Sequence, residues 1–420
     1  MRLLKLNPPD LVWPVALLAA TIPTYLIRFE ILHIPTTLWE ILLWVVFLSG
    51  LAGGALSWTF WRADRLRWPI LLILLASLIA LAVSPNYLAS LGQWKAIILD
   101  GLIFYWLVRS VTDGDKRACY WLTGGAVLGG VLVAVEALAL APLLNQVASD
   151  GRRLGIYMID AGASPNYLAL YLSPLVLLTL VGISRPASQL VRIFSLVAMI
   201  VLVLAVLVSG SRAGIVAILA GLIMAGVWLL GRHYPARRAI IGAAASLLIV
   251  TGLLIVGPSF LPDPNIDPTT ANRLTSSNNI RLEIWRTTAT RIIPTNPIWG
   301  IGWANFQPLF GQKTAGQVNY PEYITPYALH PHNFFLMTWV TLGLIGLAGW
   351  LILLGLLAAR LPRLATWQIP IMAALIAWLV QGLVDTPFYK NDLAALWWLL
   401  VALMMTYQTS GNRSQPQLDR

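Results

Sequence analysis

Charge is what this chain has least of. Only 11% of its residues are Asp, Glu, Lys or Arg, against 58% hydrophobic ones, where a soluble domain carries roughly 25% charged residues. So little charge cannot cover a water-facing surface, and a soluble globular protein is excluded. Cysteine is nearly absent: Cys119 stands alone, so no intrachain disulfide can form. It reads as a passive residue at a helix end. Acids are scarce as well, 17 against 28 basic residues, for a net charge of +11. An excess of that size would suit nucleic acid if it were concentrated. Here the basic residues lie in short clusters between apolar runs, the pattern of membrane topology, which excludes a nucleic-acid partner. Membrane lipids are the expected surroundings.

Long hydrophobic runs are plentiful. A helix crossing the hydrocarbon needs about 20 mostly apolar residues. Runs of that kind fall at approximately 11–27, 38–60, 69–84, 93–111, 118–141, 166–184, 190–209, 212–231, 238–258, 333–359, 368–386 and 393–409. The first holds Pro14, Pro23 and Tyr25 without a small-residue cleavage site, so it reads as a retained span rather than a removed signal. The 19 tryptophans suit the aromatic belts of a bilayer. The expected fold is all-α: a polytopic integral membrane protein of about 12 transmembrane helices. Three regions follow: residues 1–258 with spans one to nine, 259–332 as one large outer loop, and 333–420 with the last three spans and a short tail.

Loop charge sets the expected orientation. With the N-terminus inside, every inward loop is basic, from Arg62, Arg65 and Arg67 to Arg232, Arg237 and Arg238 and on to Arg360 and Arg363. Both termini then face the cytoplasm. Some basic residues fall on the opposite side, against the usual bias. Lys313 and Arg273 read as solvated loop residues. Arg212 sits in a turn, Ser209 to Gly214, with almost no length between two apolar helices. An arginine held there snorkels or pairs with an anion.

The outer loop opens on turn formers from Pro258 to Pro268 and then reads as a helix. It starts after Ser277 or Asn278 and runs to about Ile293, before Pro294. Ile280, Ile284 and Ala289 form its expected apolar stripe, with Trp285 beside it. Arg281 and Trp285, four apart, share a face. The helix suits the outer membrane interface, or a structural lid with solvated arginines. Next, Gly300-Ile301-Gly302 permits a tight turn or a close backbone approach. The loop closes on His330-Pro331-His332-Asn333. Such a His pair can bind metal, but Pro331 restricts it and no acidic cluster adjoins it in sequence, so no metal is expected. A histidine general base suits it better.

Three motifs now converge: Ser211-Arg212, Arg281 with Trp285, and His332-Asn333 followed after nine residues by Gly343-Leu344-Ile345-Gly346. With this topology, the chain resembles the O-antigen ligase and polymerase-like membrane glycosyltransferases. The resemblance implies a GT-C-like architecture in the inner (plasma) membrane. It implies an inverting transfer of a glycan from an undecaprenyl-diphosphate donor to an acceptor hydroxyl, at the outer face. No metal or other cofactor is required. Arg212 and Arg281 would hold the diphosphate, and His332 would take the acceptor proton. His330, Asn333, Trp285 and Arg153 complete the expected substrate-binding set. His330 remains a second candidate for the base. The acceptor is a glycan, a lipid or a protein, so the resemblance covers ligases, repeat-unit polymerases and protein O-oligosaccharyltransferases. A bicarbonate-type transporter and a shape-type peptidoglycan polymerase are rival readings. Transport would ask for internal repeats and mid-membrane ionisable residues. No repeat is visible, and Asp100, Glu136 and Asp385 lie near span ends. For Asp385 a structural role is expected, pairing with an outer arginine.

Overall fold

The computed structural model describes residues 5–31, 34–56, 58, 61, 64–143, 145, 166–184, 188–231, 277–315 and 328–406. The expected ninth span, 238–258, lies outside the described residues, as do Arg152, Arg153 and Arg273.

The described chain is helical, and its helices follow the apolar runs. Six are long and apolar enough to cross a membrane: α4 (Tyr87–Thr112), α5 (Lys116–Leu143), α6 (Asn166–Ser184), α7 (Gln189–Val208), α8 (Arg212–Leu229) and α11 (Phe334–Arg363). Five shorter apolar helices occupy the remaining described runs: α1 (Pro8–Ala20), α2 (Leu38–Ala52), α3 (Arg67–Ala82), α12 (Thr366–Gly382) and α13 (Asn391–Met404). Between α8 and α11 lie two loop helices, α9 (Ser277–Thr287) and α10 (Phe306–Thr314). The chain is an integral membrane protein of the all-α class. One element departs from the sequence reading. The link between α1 and α2 carries a small antiparallel hairpin, Arg28–Ile31 with Ile34–Thr37.

Packing explains the order. α8 lies along α12, α7 along α6, α1 along α5, and α11 along α3. Small residues set the closest of these approaches. A Cβ added at Gly125 or Gly129 would strike the Ala16 or Ala20 carbonyl of α1. Lipid-facing sides stay apolar: Leu190, Val197, Ile200 and Leu204 of α7 are exposed. Apolar surface of that extent is tolerable only against hydrocarbon.

The loop has its own core. Ile284, Ile292, Ile293, Ile301, Phe306, Phe310 and Val340 are buried together. α9 begins at Ser277, one residue ahead of the start expected after that residue. Its apolar stripe differs from expectation, because Ala289 is exposed. A π-turn over Thr288–Ile292 adds one residue to the helical phase there. It turns Ile292 inward and leaves Arg291 outside, where the guanidinium meets the Lys313 carbonyl at 3.4 Å.

α11 is broken near its start. Gly343 adopts φ 69° and ψ −172° between two helical stretches. The loop backbone fills the break. Ile301 N–H donates to the Val340 carbonyl at 2.8 Å, and Leu344 N–H to the Pro297 carbonyl at 3.0 Å. A Cβ at Gly343 would collide with the Ile298 carbonyl oxygen, and one at Gly300 with that of Thr341. The two glycine motifs are thus two halves of one contact. Trp303 anchors the far end of the segment. Fully buried, it donates to the Ser77 carbonyl at 3.0 Å, and its own carbonyl accepts from Ser84 and Ser90, each at 2.9 Å.

Candidate active site at the His-Pro-His turn

The turn 330–332 sits where α9, α11 and the link between α12 and α13 meet. Each is fixed there by a nameable interaction. Trp285 of α9 donates its indole N–H to the Pro331 carbonyl at 2.7 Å. That bond turns the shared Arg281/Trp285 face of α9 toward the turn. Asn333 is the N-cap of α11: its Oδ1 accepts Leu336 N–H at 2.9 Å, and its Nδ2 donates to the Leu383 carbonyl at 2.8 Å. Beneath it lies a knot of rings. Phe334 stands 4.8 Å from both Trp350 and Trp378, and Phe388 stands 4.6 Å from Trp350. Trp378 donates to the Pro387 carbonyl at 2.9 Å. The residue after Asn333 and the residues after Asp385 therefore rest on one rigid aromatic floor.

On this floor His332 and Asp385 face one another. Nδ1 of His332 is 3.6 Å from Oδ1 of Asp385. Asp385 lies three residues past Gly382, outside the helix, and its Oδ1 also accepts Thr386 N–H at 2.9 Å. Burial alone would raise its pKa. The facing His332 ring, with His330 and Arg281, outweighs burial and holds the carboxyl well below the usual carboxylate range. Asp385 is therefore an anion at neutral pH. Its expected pairing was with an outer arginine; His332 is the direct partner, and the Arg281 charge acts on it as well. A carboxylate at Nδ1 orients the ring and leaves Nε2 on the side away from Asp385. His332 holds this pose in the left-handed region, at φ 46°, which is uncommon outside glycine and clusters at functional sites.

His330 is held differently. Its Nδ1 accepts the His332 backbone N–H at 3.3 Å, and its Nε2 lies 3.0 Å from the Tyr167 hydroxyl. Burial, then the charges of His332 and Arg281, push its pKa down to about 3, against the opposing pull of Asp385. It is neutral, with Nδ1 bare and the proton on Nε2. Both ring nitrogens are in use, so neither is left for a proton transfer.

Arg212 heads α8, and its Nη1 is buried with no hydrogen-bond partner among the described residues. Hydrogen bonds link that helix end to the Asp385 turn. Ser173 donates to the Gly214 carbonyl at 3.4 Å, Gln381 donates to Ser173 at 3.3 Å, and the Gln381 carbonyl accepts Asp385 N–H at 2.8 Å. His330, His332 and Asp385 place donor atoms within 4.8 Å of one another, the spacing of a three-ligand metal cluster. The expectation that no acid adjoins the histidines is corrected here: the fold supplies Asp385. The His330 nitrogens are already engaged, so a cation would first have to displace Tyr167 or the His332 N–H.

Sequence reasoning gave Asp385 only a structural role and assigned none to Tyr167 or Lys390. Tyr167 lies under the Lys390 ammonium, 4.4 Å from its ring centroid. The available signal was scarcity: an acid and a base within six residues, Asp385 to Lys390, in a chain with few of either.

Fold and turn together define a polytopic all-α membrane protein with a histidine–carboxylate pair and arginines at one end of its bundle. Residues 195–351, over a third of the chain, match the family model described as O-antigen ligase. An O-antigen ligase of Salmonella typhimurium (strain LT2) is 24% identical over 280 residues, 66% of this chain and 65% of that protein. The chain thus spans just under two thirds of that relative's length. Arg212, Arg281, His332 and Gly343 lie within the family match; Tyr167, Asp385 and Lys390 lie outside it.

Proposed function

We propose that this protein is an inverting, metal-independent glycosyltransferase. It moves a glycan from an undecaprenyl-diphosphate-type lipid to an acceptor hydroxyl at the outer face of the inner membrane; the relative's name, O-antigen ligase, supports glycan transfer. The observation that carries the reading is the His332–Asp385 pair, on strained backbone, with the Arg281 charge acting on the same turn.

In the proposed step, the acceptor hydroxyl attacks the anomeric carbon on the face opposite the diphosphate. The new carbon–oxygen bond forms as the bond to the diphosphate oxygen breaks. The bonding pair leaves with that oxygen, and the configuration inverts. His332 Nε2 takes the hydroxyl proton, and Asp385 stabilises the resulting imidazolium. Arg212 and Arg281 bind the departing diphosphate; the buried, unpartnered Nη1 of Arg212 suits that task. Trp285 and Asn333, expected to touch substrate, also hold α9 and α11 in place through backbone bonds. The break in α11, a feature shared with transporters, is filled by the backbone of residues 297–301 and offers no ion site at that point.

The test is transfer from a purified lipid-diphosphate donor in the presence of EDTA. Turnover should persist, and its loss on chelation would reject the metal-free route. Labelling of introduced cysteines should place residue 313 outside and residue 237 inside. The one native thiol, Cys119, is buried and will not interfere. Cytoplasmic labelling at 313 would reject the topology and the mechanism together.

A further inference from the structure

His330 has no part in the transfer proposed above, yet it is among the most tightly held side chains at the site. We propose that His330 is a positioning residue. As a neutral imidazole it accepts the His332 backbone N–H at Nδ1 and so holds His332 in the left-handed conformation that turns its ring to Asp385. Tyr167, seated under Lys390, fixes the His330 tautomer from the other side. The inference rests on the reading of His332 as the base.

The argument starts from the sequence His-Pro-His. Pro331 has no N–H, so His332 supplies the first backbone donor that can return to the His330 ring. The bond forms, at 3.3 Å, across two residues. It resembles the turn that asparagine makes when its side-chain oxygen accepts the N–H two residues on. Such a bond needs a bare Nδ1. A neutral imidazole then carries its proton on Nε2, which must donate, and the Tyr167 oxygen 3.0 Å away receives it. Tyr167 cannot drift, because the Lys390 ammonium sits over its ring at 4.4 Å and over the Tyr25 ring at 5.2 Å. A proton on Nδ1 would set N–H against N–H and release the His332 backbone. The groups acting on His330 are His332 and Arg281, which oppose that proton, and Asp385, which favours it. Burial adds to the opposition and is the largest cause. The rings of His330 and His332, 4.3 Å apart and tilted by 61°, are thus unlike groups: one neutral brace and one base.

The geometry separates two substitutions that look equally mild. In His330→Asn the amide oxygen takes the Nδ1 position and can accept the His332 N–H. In His330→Gln the amide reaches the Nε2 position, keeps Tyr167 and loses the backbone bond. With a lipid-diphosphate donor, His330→Asn should stay within about threefold of the wild-type kcat. His330→Gln should fall about tenfold, the worth of one net hydrogen bond, with the donor KM unchanged. Gln equal to or better than Asn would overturn the proposal. So would a raised donor KM at constant kcat, the mark of a substrate contact. Each variant is compared per folded molecule after size-exclusion chromatography.

A second arm needs no turnover. The chain has four histidines, so nitrogen-15 imidazole spectra of the full-length protein in micelles can be assigned with His330→Asn. His330 should remain neutral with its proton on Nε2 down to about pH 4.5, well below the ordinary histidine value of about 6.5. Tyr167→Phe should loosen that tautomer preference. Titration of His330 between about pH 6 and 7, or a proton on Nδ1, would overturn the brace. A wild-type protein that transfers nothing would reject the glycosyltransferase reading, and the spectra would still decide the state of His330.

Discussion

Two buried polar clusters invite comparison. One joins Glu40, Lys95 and Asp100; the other joins His330, His332 and Asp385. The first is built on continuous helix, with Lys95 and Asp100 flanking the π-turn Lys95–Leu99 inside α4. Glu40 belongs to the capping box of α2, where its carboxylate accepts Thr37 N–H at 3.0 Å and the Lys95 ammonium at 3.1 Å. Lys95 also donates to the Pro35 carbonyl at 2.9 Å, and Trp44 to Asp100 at 3.1 Å. These bonds tie α2, α4 and the hairpin together. The second cluster stands on broken backbone: a left-handed histidine, a turn past a helix end, and a span interrupted ten residues later. Charges on continuous helix join elements. Charges held on strained backbone are aimed at something, and the strain is tolerated because the aromatic floor and the Asn333 cap over-determine it.

The largest difference between the clusters should come from His332→Ala. Transfer is expected to fall by about 10²–10⁴-fold, the range for a lost general base, while donor binding persists. Turnover near normal per folded molecule would reduce this cluster to the status of the other. Arg212→Ala and Arg281→Ala should each cost about 10²–10³ in kcat, as for lost donors to a developing anion. Lysine should rescue poorly, because it lacks the bidentate fork. Full activity in either alanine variant removes that arginine from the diphosphate.

Smaller effects sharpen the contrast. Gly343→Ala should destabilise by about 2–4 kcal/mol, through a left-handed backbone and a carbonyl collision. Gly355→Ala, with open space around it, should leave stability unchanged or raise it slightly; equal effects in thermal unfolding would dismiss the loop-in-break contact. Asp385 has a depressed folded pKa, so its contribution to stability is present above its unfolded value of about 3.9 and is lost as pH falls through the folded one. The melting-temperature gap between wild type and Asp385→Asn should therefore be constant near neutrality and close in acid. A gap that widens in acid would reverse the assigned charge state. Smallest for activity is Glu40→Gln, which should lower stability and leave turnover per folded molecule intact.

Much of this was legible in the chain. The apolar runs located eleven described helices, and Ser277 marked the start of α9. The two glycine motifs announced a close backbone approach, though not that each was the other's partner. That pairing is a backbone matter, made by carbonyls of Pro297 and Val340 that carry no residue signature. The phase of α9 was misread at Ala289 because a π-turn leaves no mark in apolar periodicity. Asp385 was noticed and expected against an outer arginine; the Arg281 charge does act on it, but its contact with His332 was not foreseen. Its contact with His332 depends on where α12 stops, and the apolar run continues to Thr386 while the helix ends at Gly382.

The filled break in α11 also governs how the molecule can be made. Residues 297–302 leave the ribosome before Gly343, so the plug exists before its socket. Until the two meet, the Val340 carbonyl and the Leu344 N–H, four residues apart, are each other's partners in an unbroken helix. Seating the plug exchanges that one helical bond for two, from Ile301 N–H to Val340 and from Leu344 N–H to Pro297. α11 can therefore enter the bilayer as a continuous rod, with every backbone group satisfied within it. The break is then a late step of folding, made when the segment before α11 docks, and a chain in which that segment is withheld should carry α11 unbroken.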